Sequence, residues 1–193
     1  MSGLSTSTFF AKGEFVRRNG PPCPGLAAAT MMKPMPTIPD ALEVFRRGPA
    51  TLKAAIADLT PAELDFVPAP GKWTIRQLVR HLADTEIVAG MRLRHIVAED
   101  KPFLVPFDQD KWADNLDYKS ADPDEALVMF RVLRDDTARL LASLPPAAFE
   151  RVGSHPERGD RTLLSFVELF GNHVIKHVEH IRSIREAVAK QQA

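Results

Sequence analysis

Apolar residues recur near the end of the chain in steps of three and four: Leu163, Phe166 and Phe170, then Ile181, Ile184 and Val188. Between the two groups the same rhythm falls on His173 and His177. This period marks a helix that buries one stripe, so histidine stands twice where a core residue is expected. Three other segments share the pattern. The first runs from about Asp40 to Leu59 with Leu42, Phe45, Leu52, Ile56 and Leu59 facing inward, and Gly48-Pro49 is expected to bend or interrupt it. Thr60-Pro61-Ala62-Glu63 then supplies an N-cap, an N1 proline and a capping-box acid for one short turn. The second long helix begins near Trp73 with Thr74 as its cap. It carries Ile75, Leu78, Val79, Leu82, Leu93, Ile96 and Val97, with His81 at the margin of that face. The third spans roughly Pro123 to Leu144 through Ala126, Leu127, Phe130, Leu133, Leu140 and Leu141.

The connecting stretches are less regular. Lys101 to Pro123 holds Pro102, Pro106, Trp112 and Tyr118 without a sustained period and reads as a long ordered crossover loop. Loops of that length are often functional, which gives Trp112 a claim to line a pocket. Arg151 to Arg161 reads as a second irregular stretch and brings His155. Four substantial helices and no convincing strand predict an all-α four-helix bundle with one long crossover loop, and no internal repeat is visible. Residues 1–37 differ: the Pro21-Pro22-Cys23-Pro24-Gly25 cluster, Pro34 and Pro36 leave no periodic stretch. They are expected to form a flexible N-terminal extension ahead of a bundle over residues 38–193. Met31, Met32 and Met35 stand just before the first helix, so a downstream translation start is compatible with the pattern.

Composition narrows the function classes. At 193 residues the chain fits one domain that can bury a real core. Its 25 basic and 25 acidic residues balance, which argues against a nucleic-acid or anionic-membrane platform and toward small molecules or protein partners. The single cysteine, Cys23, excludes an intrachain disulfide framework and disfavours a thiolate metal site, so a reducing, cytoplasmic setting is expected. No apolar run approaches the ~20 residues needed to span a bilayer. Phe9 and Phe10 are followed by Lys12, Glu14, Arg17 and Arg18, which break any signal-peptide core.

The histidines carry the chemistry. An imidazole in a core stripe must hydrogen-bond or bind a metal, because a buried polar group left unpaired costs roughly 1–3 kcal/mol. Two rings one turn apart can reach the same ion, and a third can come from another helix, where His81 is the evident donor. Asp84, one turn beyond His81, is read either as an acid that orients a ligand or relays a proton, or as a solvated or helix-pairing carboxylate. His180 is read as a substrate contact or a simple exposed histidine, and His155 as a pocket residue or an ordinary loop histidine. His95 is expected to be uninvolved, Trp73 and Trp112 are read as packing residues more than substrate contacts, and Cys23 as an incidental thiol.

Trp73-Thr74-Ile75-Arg76-Gln77-Leu78-Val79-Arg80-His81-Leu82-Ala83-Asp84 resembles the second-helix motif of the DinB superfamily, especially its YfiT-like branch. Asn172-His173-Val174-Ile175-Lys176-His177-Val178-Glu179-His180-Ile181 resembles that branch's final helix, where many relatives have Gln in place of His180. Glu99-Asp100-Lys101-Pro102, Pro106-Phe107-Asp108, Trp112 and His155-Pro156-Glu157 are similar to its connecting loops. The resemblance covers about Pro39 to the C-terminus. It implies a four-helix bundle that binds one divalent ion, zinc or nickel, through His81, His173 and His177. It also implies an enzyme: members are labelled metal-dependent hydrolases, and others use a low-molecular-weight thiol such as bacillithiol or mycothiol to transfer or isomerise electrophilic substrates. Many form homodimers.

Three neutral imidazoles leave an ion its full charge and an open position, the layout of a catalytic site. Water bound there approaches a pKa of ~7 and a thiol is deprotonated, so either nucleophile can form. The expected function is a metal-dependent thiol S-transferase acting on electrophilic small molecules. The alternatives are a hydrolase that uses metal-bound hydroxide and a non-catalytic metal-binding bundle. No nucleic acid or membrane partner is expected. Because residues 1–37 lack periodicity and lie outside the resemblance, a chain that starts at Met35 should keep the thermal midpoint of the full chain. Aggregation, or a loss of several degrees by calorimetry, would show that the extension packs on the bundle.

Overall fold

The structure is a computed structural model that describes residues 37–192, so the expectations for residues 1–36, Cys23 among them, lie outside the described residues. Helix α1 (Ile38–Ile56) is capped by Thr37 and α2 (Pro61–Leu64) by Thr60, each through a reciprocal capping box. Helix α3 (Ile75–Ala98) starts at Thr74, whose backbone N–H donates to the Gln77 side chain at 3.0 Å. Helix α4 (Gln109–Asn115) is opened by the Asp108 carboxylate and α5 (Pro123–Ala142) by that of Asp122. Strands β1 (Val152–His155) and β2 (Gly159–Thr162) form an antiparallel hairpin, and α6 (Leu163–Gln192) closes the chain.

The four long helices α1, α3, α5 and α6 make the bundle, as the periodicity predicts. Around it, α1 lies between α5 and α6, and α3 lies between the same two helices on the opposite side. The core divides into two clusters along the axis. At one end Leu52 and Ala55 of α1 meet Ile75 and Leu78 of α3, Ala126 and Phe130 of α5, and Ile181 and Ile184 of α6. At the other end Ala41 and Phe45 meet Leu93 and Ile96, Leu141, and Phe166 and Phe170. This ordering makes α3 and α5 run in the same direction, and α1 and α6 together run against them. Parallel neighbours cannot be joined by a tight turn. A helix of 24 residues spans roughly 36 Å, and the connection from α3 to α5 returns that distance.

Two details correct the sequence-based picture. The crossover is not structureless: it contains α4 and a 3-10 turn at Tyr118–Ser120. The stretch around His155 is the β1–β2 hairpin, not an irregular loop. Phe103 bridges to Ser154 beside β1, and Leu104 N–H donates to Ser154 O at 2.8 Å, so the crossover's first residues join the hairpin. Gly153 permits this closeness, since a Cβ there would lie 2.8 Å from Ile96 Cγ1 and 2.9 Å from Leu104 Cδ1. Among the described residues no helix is long and apolar enough to cross a membrane.

Helix α1 is not interrupted at Gly48-Pro49. Pro49 has no N–H to give the Phe45 carbonyl one turn back. Arg134 of α5 supplies the donor instead, with Nη1 2.9 Å from Phe45 O. The same guanidinium forms a buried two-pronged pair with Glu86 of α3, at 2.8 Å and 2.6 Å. It also lies 3.9 Å from the centre of the Phe45 ring. Removing one member of such a pair strands the other charge, so Glu86→Ala or Arg134→Ala is expected to cost about 3–5 kcal/mol in urea unfolding. The double change Glu86→Met/Arg134→Met should recover part of that loss. A single-variant cost near that of an exposed pair would show that the pair does not hold the bundle.

Candidate metal centre

The three predicted histidines converge. His81 projects from α3 and His173 and His177 from successive turns of α6, and one ring nitrogen of each lies within 4.8 Å of the other two. His173 Nε2 is 3.4 Å from His81 Nε2 and 3.0 Å from His177 Nε2. His81 is 1% exposed, so it belongs to the interior and not to the margin of the α3 stripe. His173 and His177 are half-buried. Hydrogen bonding does not account for this arrangement, because the single in-plane lone pair of His173 Nε2 cannot serve two neighbours at once. A cation satisfies all three. Ligands ~2.0–2.1 Å from a tetrahedral zinc sit roughly 3.3–3.4 Å apart, close to the observed spacing.

Electrostatics support the same reading. Burial, reinforced by the charge of His177, lowers the His81 pKa to about 3. Burial followed by His177 and His81 brings His173 to about 3, and burial followed by His180 brings His177 to about 4. All three rings are therefore neutral near pH 7, the form in which imidazole binds a metal. The Thr85 hydroxyl, 3.5 Å from His81 Nε2, lies beside the cluster and was not foreseen from the sequence. The Trp73 ring packs against His81 with centroids 5.0 Å apart, and His81 Nδ1 is buried without a hydrogen-bond partner.

The remaining candidates fall at different places. Asp84 is buried, not solvated, with Oδ1 2.8 Å from Arg80 Nη2, although neither oxygen receives a directed hydrogen bond. The Tyr118 hydroxyl is buried nearby, and burial, followed by Asp84, pushes its pKa up. His180 lines a cavity of about 210 Å³ together with His177, Trp73, Lys72 and Asp110. A separate cavity of about 400 Å³ reaches His173 from the hairpin side. His155 is on β1, 4% exposed, and its Nδ1 accepts from Glu157 N–H at 3.2 Å. Trp112 packs on Phe107 with ring centroids 4.9 Å apart. His95 is tied to Glu99 at 2.6 Å on the exposed side of α3.

These lowered pKa values set a pH dependence. The unfolded histidines titrate near ~6.5, so below that pH the unfolded chain binds more protons than the folded one. Stability from this source is complete above ~6.5 and is lost as pH falls toward about 4. The thermal midpoint of metal-free protein should therefore fall between about pH 7 and about pH 5, and less so in His81→Leu/His177→Leu. Equal slopes in both proteins would assign the loss to other groups.

Comparison with known proteins agrees with this geometry. A protein of Bacillus mycoides, named provisionally as a metal-dependent hydrolase, is 36% identical over 138 residues, covering 72% of this chain and 79% of that one. YfiT of Bacillus subtilis is 32% identical over 144 residues, 74% of this chain and 81% of its own. The solved structure of YfiT, described as a probable metal-dependent hydrolase with an unusual four-helix bundle topology, superposes with a TM-score of 0.75. That match has 29% identity and covers 82% of this chain and 94% of YfiT. TT2238, a four-helix bundle protein, shares the fold at a TM-score of 0.57 and 19% identity, over 76% of this chain and 99% of its own. Residues 44–181 match the DinB superfamily, and with two helices delivering three imidazoles to one point, the chain belongs to that family.

Proposed function

We propose that the chain is a metal-dependent enzyme in which His81, His173 and His177 hold one divalent ion, zinc or nickel, and a small thiol is transferred to an electrophilic carbon. The observation that carries the reading is the convergence of three neutral imidazole nitrogens, two of them on half-buried rings beside separate cavities. An ion held by neutral ligands keeps its charge and an open position, and supplies acidification of a water or thiol placed there. The protein's residues do the rest. Trp73 walls the cluster on the α3 side, and Thr85 offers a hydroxyl at His81. His180 lines the cavity beside His177 and would take the proton that a thiol gives up on becoming a thiolate, while the leaving group would depart with the electron pair of its bond to carbon.

The two cavities favour a reaction of two substrates, one reaching His173 and the other reaching His177. The names of the relatives favour the second reading, a hydrolase in which water replaces the thiol. Metal analysis of purified protein should give one ion per chain, with His81→Ala, His173→Ala and His177→Ala each losing most of it. Undiminished stoichiometric metal in all three variants would sink the site. Conjugation of monochlorobimane should need both metal and added thiol and should vanish in His177→Ala. Turnover of esters or amides without thiol, with no transfer from bacillithiol, mycothiol or glutathione, would establish the hydrolase instead. Absence of both reactions in metal-replete protein would leave a non-catalytic bundle.

A further inference from the structure

Thr85 follows His81 by four residues on α3, so the two side chains share one face of the helix, one turn apart. It is 6% exposed, and a threonine inside a helix commonly returns its hydroxyl to the carbonyl one turn back. Thr51 of α1 does so, with Oγ1 donating to Arg47 O at 3.0 Å. Thr137, buried in α5, accepts from Arg94 Nη1 at 3.2 Å. Thr85 does neither. Among the described residues its hydroxyl has one hydrogen-bonding neighbour, His81 Nε2 at 3.5 Å. That nitrogen is the one His81 turns toward His173 Nε2, 3.4 Å away, and His173 lines the cavity of about 400 Å³. The hydroxyl therefore faces the donor side of the cluster.

We propose that the Thr85 hydroxyl is a further part of the centre and donates a hydrogen bond to the anion, thiolate or hydroxide, that takes the position the three imidazoles leave open. The proposal rests on the reading of that centre as metal-binding. An ion on His81 Nε2 takes up the lone pair that Thr85 faces, since a neutral ring nitrogen has only one. The hydroxyl must then give its proton elsewhere, because a cation accepts no hydrogen bond. Its oxygen is a poor competitor for the ion itself, as zinc sites are built from Cys, His, Asp and Glu. The spacing suits the remaining partner. Ligands of a tetrahedral zinc stand roughly 3.3–3.4 Å apart, so an oxygen 3.5 Å from one of them lies at the edge of the coordination shell, within reach of a neighbouring ligand. A donor there favours the ionised form of a thiol or a water over the neutral form.

Full-length protein stripped of metal and reloaded with cobalt(II) tests this, because cobalt absorption reports the ion's surroundings whether or not any substrate turns over. Two titrations are followed by absorption, one with pH alone and one with 2-mercaptoethanol at fixed pH. In Thr85→Val, which keeps the shape and removes the hydroxyl, the pH midpoint should rise by about one unit and the thiol dissociation constant by about tenfold. Cobalt affinity should stay within about threefold, and Thr85→Ser should return both values to those of the unaltered chain. If circular dichroism shows that Thr85→Val does not fold, Thr85→Ala against Thr85→Ser makes the same comparison. An unchanged midpoint and thiol affinity, or a loss of cobalt affinity of about tenfold or more, the mark of a direct ligand, would overturn the proposal. Cobalt uptake without a response to Thr85→Val removes this proposal alone, whereas no cobalt uptake by the unaltered chain removes the metal reading with it. A shift of the pH midpoint without thiol binding keeps the role of Thr85 and makes hydroxide the anion it serves.

Discussion

The buried pair of Arg134 and Glu86 is the constraint on which the rest of the bundle depends. One guanidinium joins all four long helices: it sits on α5, pairs with Glu86 of α3, caps the Phe45 carbonyl of α1, and reaches Phe170 O of α6 at 3.4 Å. Apolar packing alone tolerates sliding of one helix past another. A forked hydrogen-bonded pair does not, because a shift of one turn would strand two charges in the core. The pair therefore fixes the axial position of α3 against α5 and of both against α6. His81 is five residues before Glu86, and His173 is three residues after Phe170. The register that places the histidine nitrogens within bonding reach of one point is set a turn or so away, by a pair that takes no part in the chemistry.

Much of this was legible in the sequence wherever burial and periodicity coincide. The long helices and their caps at Thr60 and Thr74 follow from spacing and side-chain chemistry, and His173 and His177 stand out because they are polar in an apolar stripe. The same logic applied to α3 and α5 would have found Glu86, which follows Leu82 by four residues and precedes Ala89 by three, and Arg134, which follows Phe130 by four. Charged residues are easily set aside as surface, and that obscured them. Helix α4 was missed because Trp112 and Ala113 are its only apolar residues, so it carries no stripe and depends on the Asp108 cap. The hairpin was missed for a related reason. The buried positions of β1 are Gly153 and His155, and an alternation written in glycine and histidine leaves no hydropathy signal.

The parallel arrangement of α3 and α5 accounts for the long crossover and, through it, for the surroundings of the histidines. A short turn would have left the α3–α6 seam open along its length. The returning chain instead lays Tyr118 near Trp73, at 6.4 Å between ring centroids, and places Asp110 by His177 and His180. Its first residues pair with the hairpin at the opposite end, near Arg92. Topology thus supplies walls at both approaches to the site, while the helices supply the donors.

Pro49 has a consequence for how the chain assembles. Within α1 the Phe45 carbonyl can be bonded by water only as long as Phe45 remains outside the core. Once that ring is buried, the donor to this carbonyl among the described residues is Arg134, eighty-nine residues away in sequence. The hydrogen bonding of docked α1 is therefore complete only with α5 in place. A proline that would weaken a solitary helix here ties α1 to α5, so that two distant parts of the chain complete each other's hydrogen bonding in the core.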